Sequence, residues 1–339
     1  MKSKTRWLAP LPDQRPSRVL RALLLGACTV LGAIAGCSAE NAAERSLEVA
    51  AQGLYAGALS EDAELLIVGS LNHGASLWST PENARLFNWA HQQGEYAELV
   101  AAAFSPDGSR AVTMDPRTLV LWDTGNGRAL NYWATPGAVM DAALFSDNRT
   151  ALLGLEDHSA LVFDAQTGDY QRTLLHEGPV AAVAVAVDGT VALTGSDDQT
   201  AVLWRLNDGT AAQRYQHGSP VRVVALSSDN RYAFTAAQGD LVALWDNRSG
   251  QRVHVFQDGI NHGVTAARFS DDGTRLAIGY ANRKISLFAI PSGAALQRWD
   301  PGTRHPMRAT GSAILELAFG PGALLAVTGD GRLLMLRSS

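Results

Sequence analysis

Cysteine is almost absent from this chain of 339 residues, which has only Cys28 and Cys37. Only one of them follows residue 36, so the body of the chain has no internal disulfide. None of the eight histidines stands in a His-x-x-x-His spacing, and with no Cys-x-x-Cys pair either, no zinc site is expected. A Walker loop, a Gly-x-Ser-x-Gly elbow and a carboxylate-dense calcium loop are also missing. Positive charge is scarce: 28 Lys and Arg face 33 Asp and Glu, a formal net charge of −5. Six of those bases and a single acid lie in the first 36 residues, which leaves the remainder close to −10. Such a body repels phosphate backbones, so nucleic acid is not an expected partner. The longest apolar run, 22–36, is too short for a membrane span, which needs about 20 residues.

What the first residues do have is the pattern of a targeting segment. Lys2, Lys4, Arg6, Arg15, Arg18 and Arg21 precede the apolar run, which ends in Ile34-Ala35-Gly36-Cys37. That ending resembles the lipobox of bacterial lipoproteins. The resemblance implies removal of 1–36, acylation of Cys37 as the new N-terminus, a lipidated tether over 37–45 and a folded domain over 46–339. Two or three acyl chains hold a protein on a membrane stably, since each buried CH₂ contributes about 0.8 kcal/mol. Ser38 stands where inner-membrane retention in that family favours Asp, which points to the periplasmic face of the outer membrane.

From residue 54 onward one unit recurs. Small-residue strands lead into turns such as Ser105-Pro106-Asp107-Gly108, Asp147-Asn148, Asp188-Gly189, Asp229-Asn230 and Asp271-Asp272-Gly273. Asn and Gly tolerate the left-handed φ that tight hairpins need, so each turn joins two antiparallel strands. A third strand then ends at Trp78, Trp122, Phe163, Trp204, Trp245, Phe288 and Leu336, and a fourth carries Trp89, Trp133, Leu174, Tyr215, Phe256 and Trp299. Third-strand positions recur every 41 to 48 residues, the period of a four-stranded propeller blade. The expected fold is all-β, a propeller of seven blades.

The repeat resembles the WD40 family, most closely over Leu193-Thr194-Gly195-Ser196-Asp197-Asp198-Gln199-Thr200-Ala201-Val202-Leu203-Trp204. The resemblance implies a buried structural tetrad of His176, Thr194, Asp198 and Trp204 in the fourth blade. Read alone, His, Thr and Asp invite a catalytic triad, but buried polar groups that satisfy one another are structural. In the fifth blade His217, Thr235 and Trp245 recur; in the second, Pro116 stands where the Asp is expected. The seventh repeat has only three strands. The missing outer strand is expected from 46–53, chiefly Ser46-Leu47-Glu48-Val49-Ala50, in the overlap closure that WD40 proteins use.

The expected function is that of a non-catalytic, monomeric interaction scaffold that docks other envelope proteins, without cofactor, metal or small-molecule substrate. Two long loops on one face are the candidate partner-binding elements: His91, Glu95 and Tyr96 in one, Arg304, His305 and Arg308 in the other. A periplasmic propeller enzyme is the alternative. Asp164-Ala165-Gln166-Thr167-Gly168 resembles a quinoprotein-dehydrogenase turn, although that family's Trp after Lys is absent, and a lactonase is a second form of the same idea. A third reading resembles the propeller lipoprotein that assists outer-membrane barrel assembly, a family of eight blades.

Overall fold

The computed structural model describes residues 41–70, 74–91, 98–257, 263–302 and 313–337. These form seven four-stranded antiparallel sheets. Blades 1 to 6 occupy 54–89, 101–134, 139–175, 180–216, 221–255 and 264–299, each running in sequence order from inner to outer strand. Blade 7 takes its three inner strands from 314–336, and its outer strand is Arg45–Glu48. Arg45 to Glu48 pair antiparallel with Met335 to Arg332, so the N-terminal segment closes the ring. Among the described residues no helix is long and apolar enough to cross a membrane.

The closing segment is longer at its front than the expected 46–53. Asn41 donates its N–H to the Arg298 carbonyl at 2.9 Å and accepts from the Asp300 N–H at 3.1 Å, on the outer strand of blade 6. Glu44 then donates to Met335, Val49 and Ala50 to Gly331, and Leu54 to Gly329. One stretch of chain thus ties blades 6, 7 and 1 together. The backbone hydrogen bonds of an otherwise open edge are thereby satisfied.

The two series of large side chains in the sequence meet across the seams. An outer-strand residue of one blade packs on the third-strand residue of the next. Trp89 stacks on Trp122 at 4.7 Å, Tyr215 on Trp245 at 4.8 Å, Phe256 meets Phe288 at 4.8 Å and Trp133 meets Phe163 at 6.2 Å. Leu174 with Trp204 and Trp299 with Leu336 share apolar clusters in the same way. Leu47, from the closing strand, shares one with Trp78. Aromatic pairs at such distances add about 0.5–1.5 kcal/mol each beyond the area they bury.

A second tie recurs nearer the rim. The outer-strand residues Asn131, Arg172, Gln213 and Gln297 each donate to a backbone carbonyl of the following blade, those of Gln166, Asn207, Asn247 and Arg337. At the equivalent places Phe87 and His254 lie over Gly127 and Gly293, where a Cβ would sit within 2.5 Å of their rings. Both glycines have positive φ, so they supply the turn and the space together.

Candidate functional site

In blade 4 the inner strand is preceded by a turn bearing His176, the second strand carries Thr194, the following turn Asp198, and the third strand Trp204. His176 Nδ1 lies 2.8 Å from Asp198 Oδ2 and Nε2 lies 2.7 Å from Thr194 Oγ1. Trp204 Nε1 donates to the same hydroxyl at 2.8 Å. The arrangement assigns the proton to Nδ1: the imidazole donates to the carboxylate and accepts from Thr194, which accepts from the indole. Burial pushes the His176 pKa below its ordinary value, against the pull of Asp198, so the ring stays neutral. Asp198 is held down at about 2, where hydrogen bonds from the Glu177 N–H, Thr200 and His176 outweigh its desolvation. The partners in this set are other members, the adjoining turns and the Val202 carbonyl, which Thr194 Oγ1 reaches at 3.3 Å. No hydroxyl is aimed at solvent as a nucleophile.

Blade 2 builds the same unit. His91 is buried, with Nε2 2.8 Å from Thr113 Oγ1 and Nδ1 3.3 Å from Asp115 Oδ2, and Trp122 donates to Thr113 at 2.7 Å. Two sequence expectations change as a result. His91, grouped with the loop residues, is a core histidine and presents no free ring nitrogen. The acid of this blade is Asp115, not absent at Pro116. Asp115 stands two residues after Thr113 and seven before Trp122, where Asp198 stands four after Thr194 and six before Trp204, so the carboxylate of this blade comes from a different place in the turn.

Blade 5 stops short. Trp245 donates to Thr235 at 2.7 Å, but neither nitrogen of the buried His217 bonds a side chain, and Asp240 accepts the Gly218 N–H at 2.7 Å, as Asp198 accepts that of Glu177. Burial drives His217 down to about 4, against the upward pull of Asp240 and of the Leu241 backbone. In blade 7 a buried ion pair replaces the unit: Arg332 donates through Nε to Asp330 at 3.0 Å and through a terminal nitrogen to the Gly302 carbonyl at 2.9 Å.

The inner strands line a central channel with a cavity of about 430 Å³. At one equivalent position of the seven strands stand Ala56, Ala101, Asp141, Ala182, Val223, Ala266 and Glu316, paired respectively with Gly69, Met114, Gly154, Gly195, Ala236, Gly279 and Val327. Two carboxyl groups therefore interrupt a ring of small apolar side chains. Asp141 accepts the Val183 N–H of the neighbouring blade at 2.8 Å and the Ala142 N–H at 2.9 Å. Burial raises it to about 6 in spite of those bonds. Glu316 is raised to about 7, chiefly by burial, with Arg268 drawing it down and Asp141 pushing it up. Both residues keep some exposure to the channel, yet protein surrounds them closely enough for desolvation to dominate. Arg268 reaches Glu61 at 3.6 Å near one mouth. Reading the sequence alone missed this pair; the signal was an acid in the middle of an otherwise Ala- and Val-rich inner strand.

Of the remaining expected site residues, Cys37, Glu95, Tyr96, Arg304, His305 and Arg308 lie outside the described residues. Among the described residues no three His, Cys, Asp or Glu side chains come together as a metal site.

The model of the family described as WD domain, G-beta repeat, matches residues 168–205. Those residues comprise the outer strand of blade 3 and the first three strands of blade 4, the stretch that holds His176, Thr194, Asp198 and Trp204. Among curated proteins no sequence matches the chain. The chain is a seven-bladed β-propeller that carries a WD40 repeat at residues 168–205.

Proposed function

We propose that this protein is a non-catalytic interaction platform, held on the periplasmic face of a bacterial outer membrane through acylated Cys37, whose surfaces dock other envelope proteins. One observation carries the reading. The His, Thr and Asp groups that resemble catalytic machinery are buried and bonded to one another in blades 2 and 4, so they are spent on the fold. Exposed loops and rim strands on a rigid ring are left to make contacts. The anchor rests on the sequence Ile34-Ala35-Gly36-Cys37.

Two measurements test the two halves separately. Metabolic labelling with an alkyne fatty acid should mark the wild-type chain and not Cys37→Ala; equal labelling of both rejects the anchor. Photo-crosslinkers placed at Tyr96 and His305 in living cells should capture a discrete envelope protein. Turnover of a sugar, alcohol or lactone substrate by the purified protein would instead establish the enzyme reading.

A further inference from the structure

The seven outer strands form the rim of the ring, and each ends its sheet, so each has one backbone edge with no neighbouring strand in its blade. Edges of this kind pair readily with foreign strands, and charged side chains are the usual protection. Six of the seven carry an arginine: Arg45, Arg85, Arg172, Arg214, Arg252 and Arg298. The outer strand of blade 2, Ala129–Ala134, carries no charge at all. It is also a full six residues long and alternates regularly between half-buried and exposed positions. Its exposed face holds Leu130 at 44% and Tyr132 at 49% exposure, and the Tyr132 hydroxyl reaches only the Ala90 carbonyl at 3.4 Å.

Charge returns at the two ends of this strand. Arg128 directly precedes it, and Arg117 lies beside its far end, where the Thr135 N–H donates to the Arg117 carbonyl. Both arginines are exposed, and neither side chain has an ion pair among the described residues. A cation at each end of an uncharged, apolar edge selects its occupant. A second copy of the chain, pairing antiparallel about Asn131, would set Arg128 opposite the copy's Ala134, at the end where that copy's Arg117 lies, and cations gathered at both ends of the pairing oppose it. A strand with apolar residues in the middle and a carboxylate at either end meets both requirements.

We propose that the outer edge of blade 2 receives an extended segment of another protein as a fifth β-strand, uncharged and alternately apolar along its length and acidic at its ends. Main-chain hydrogen bonds supply affinity in this mode, Leu130 and Tyr132 select the apolar side chains, and Arg117 and Arg128 fix the register. The inference rests on the interaction-platform reading and names the kind of partner it takes.

The test uses the full chain and a synthetic peptide of alternating valine and threonine with an aspartate at each end. Hydrogen exchange should show saturable protection of Ala129–Ala134 with the peptide bound. Leu130→Lys, at an exposed site, should weaken binding at least tenfold without lowering the melting temperature, and Arg128→Glu should weaken it further for this peptide while improving it for a lysine-ended one. Protection absent from blade 2, or unchanged affinity in Leu130→Lys, overturns the proposal. A mass doubling in sedimentation that Leu130→Lys abolishes overturns it too, by giving the edge to a second copy. Crosslinks captured at Tyr96 or His305 but none at Leu130 would leave the platform standing and remove this edge from it.

Discussion

Blades 4 and 5 have the same His, Thr and Trp at matching places, yet only blade 4 closes its hydrogen-bond unit. Asp198 stands four residues after Thr194, and Gln199 behind it takes the positive φ of the turn. Four residues after Thr235 stands Gly239, which takes the positive φ itself, and the acid follows at Asp240. A shift of one residue costs the carboxylate its bond to the imidazole and leaves it the Gly218 N–H, the counterpart of the Glu177 N–H that Asp198 also accepts. The comparison separates two costs that are often merged. A buried histidine bonded to side chains on both sides contributes to stability, whereas the same ring without side-chain partners keeps most of its desolvation penalty.

The largest break in this comparison is Thr194→Val. It strips His176 and Trp204 of their shared hydroxyl at once and should cost about 3 kcal/mol or more in denaturant unfolding, against about 1–2 kcal/mol for Thr235→Val, where only Trp245 loses a partner. Histidine replacements should diverge next: His176→Leu is expected to lose about 2 kcal/mol, and His217→Leu to fall within about 1 kcal/mol of wild type in either direction. Equal losses at the two positions would show that His217 is satisfied in solution. Exchanging the two residues, Gly239→Asp with Asp240→Gly, restores the blade 4 order and should add about 1 kcal/mol. If stability falls instead, the turn and not the carboxylate governs this blade.

Acidity sharpens the contrast further. Both histidines are held below the ordinary 6.5, so the folded state binds fewer protons than the unfolded chain, and stability falls as pH drops below that value. For His217 the loss continues to about pH 4, and His217→Leu should remove it. Asp198, held at about 2, keeps its contribution until pH falls below the ordinary carboxylate value of 3.8. The channel acid behaves oppositely. Glu316, raised to about 7 from 4.5, keeps a proton that the unfolded chain has released, so stability falls as pH rises between those values. Glu316→Gln should accordingly melt higher than wild type at pH 8 and equally at pH 4.

The repeats were legible because each blade spells out its own turn and strand pattern locally. Closure by the N-terminal segment was legible for a related reason, since a three-stranded last repeat leaves an edge to be filled. Asp115 was not, because fixed spacing fails when the carboxylate comes from a different place in the turn. His91 misled because the polar sequence that follows it reads as a loop while its ring turns inward to Thr113. The carboxyl groups of Asp141 and Glu316 become a pair only when the ring brings blades 3 and 7 to one channel, and no local pattern encodes that meeting. The seam contacts lay in plain view as two aromatic series, but the sequence does not say that a residue of one series packs on a residue of the other in the next blade.

The WD40 match spans the outer strand of one blade and three strands of the next, so the unit written in the chain is out of phase with the unit that folds. No repeat can complete a sheet without the outer strand that opens the repeat after it, and at Arg45–Glu48 the last sheet takes that strand from the start of the domain. Such a ring has no terminal module that can fray first. Although each blade touches chiefly its two neighbours, heat or denaturant should find a single cooperative unit, and cutting the chain anywhere inside a seam should loosen the whole circle at once.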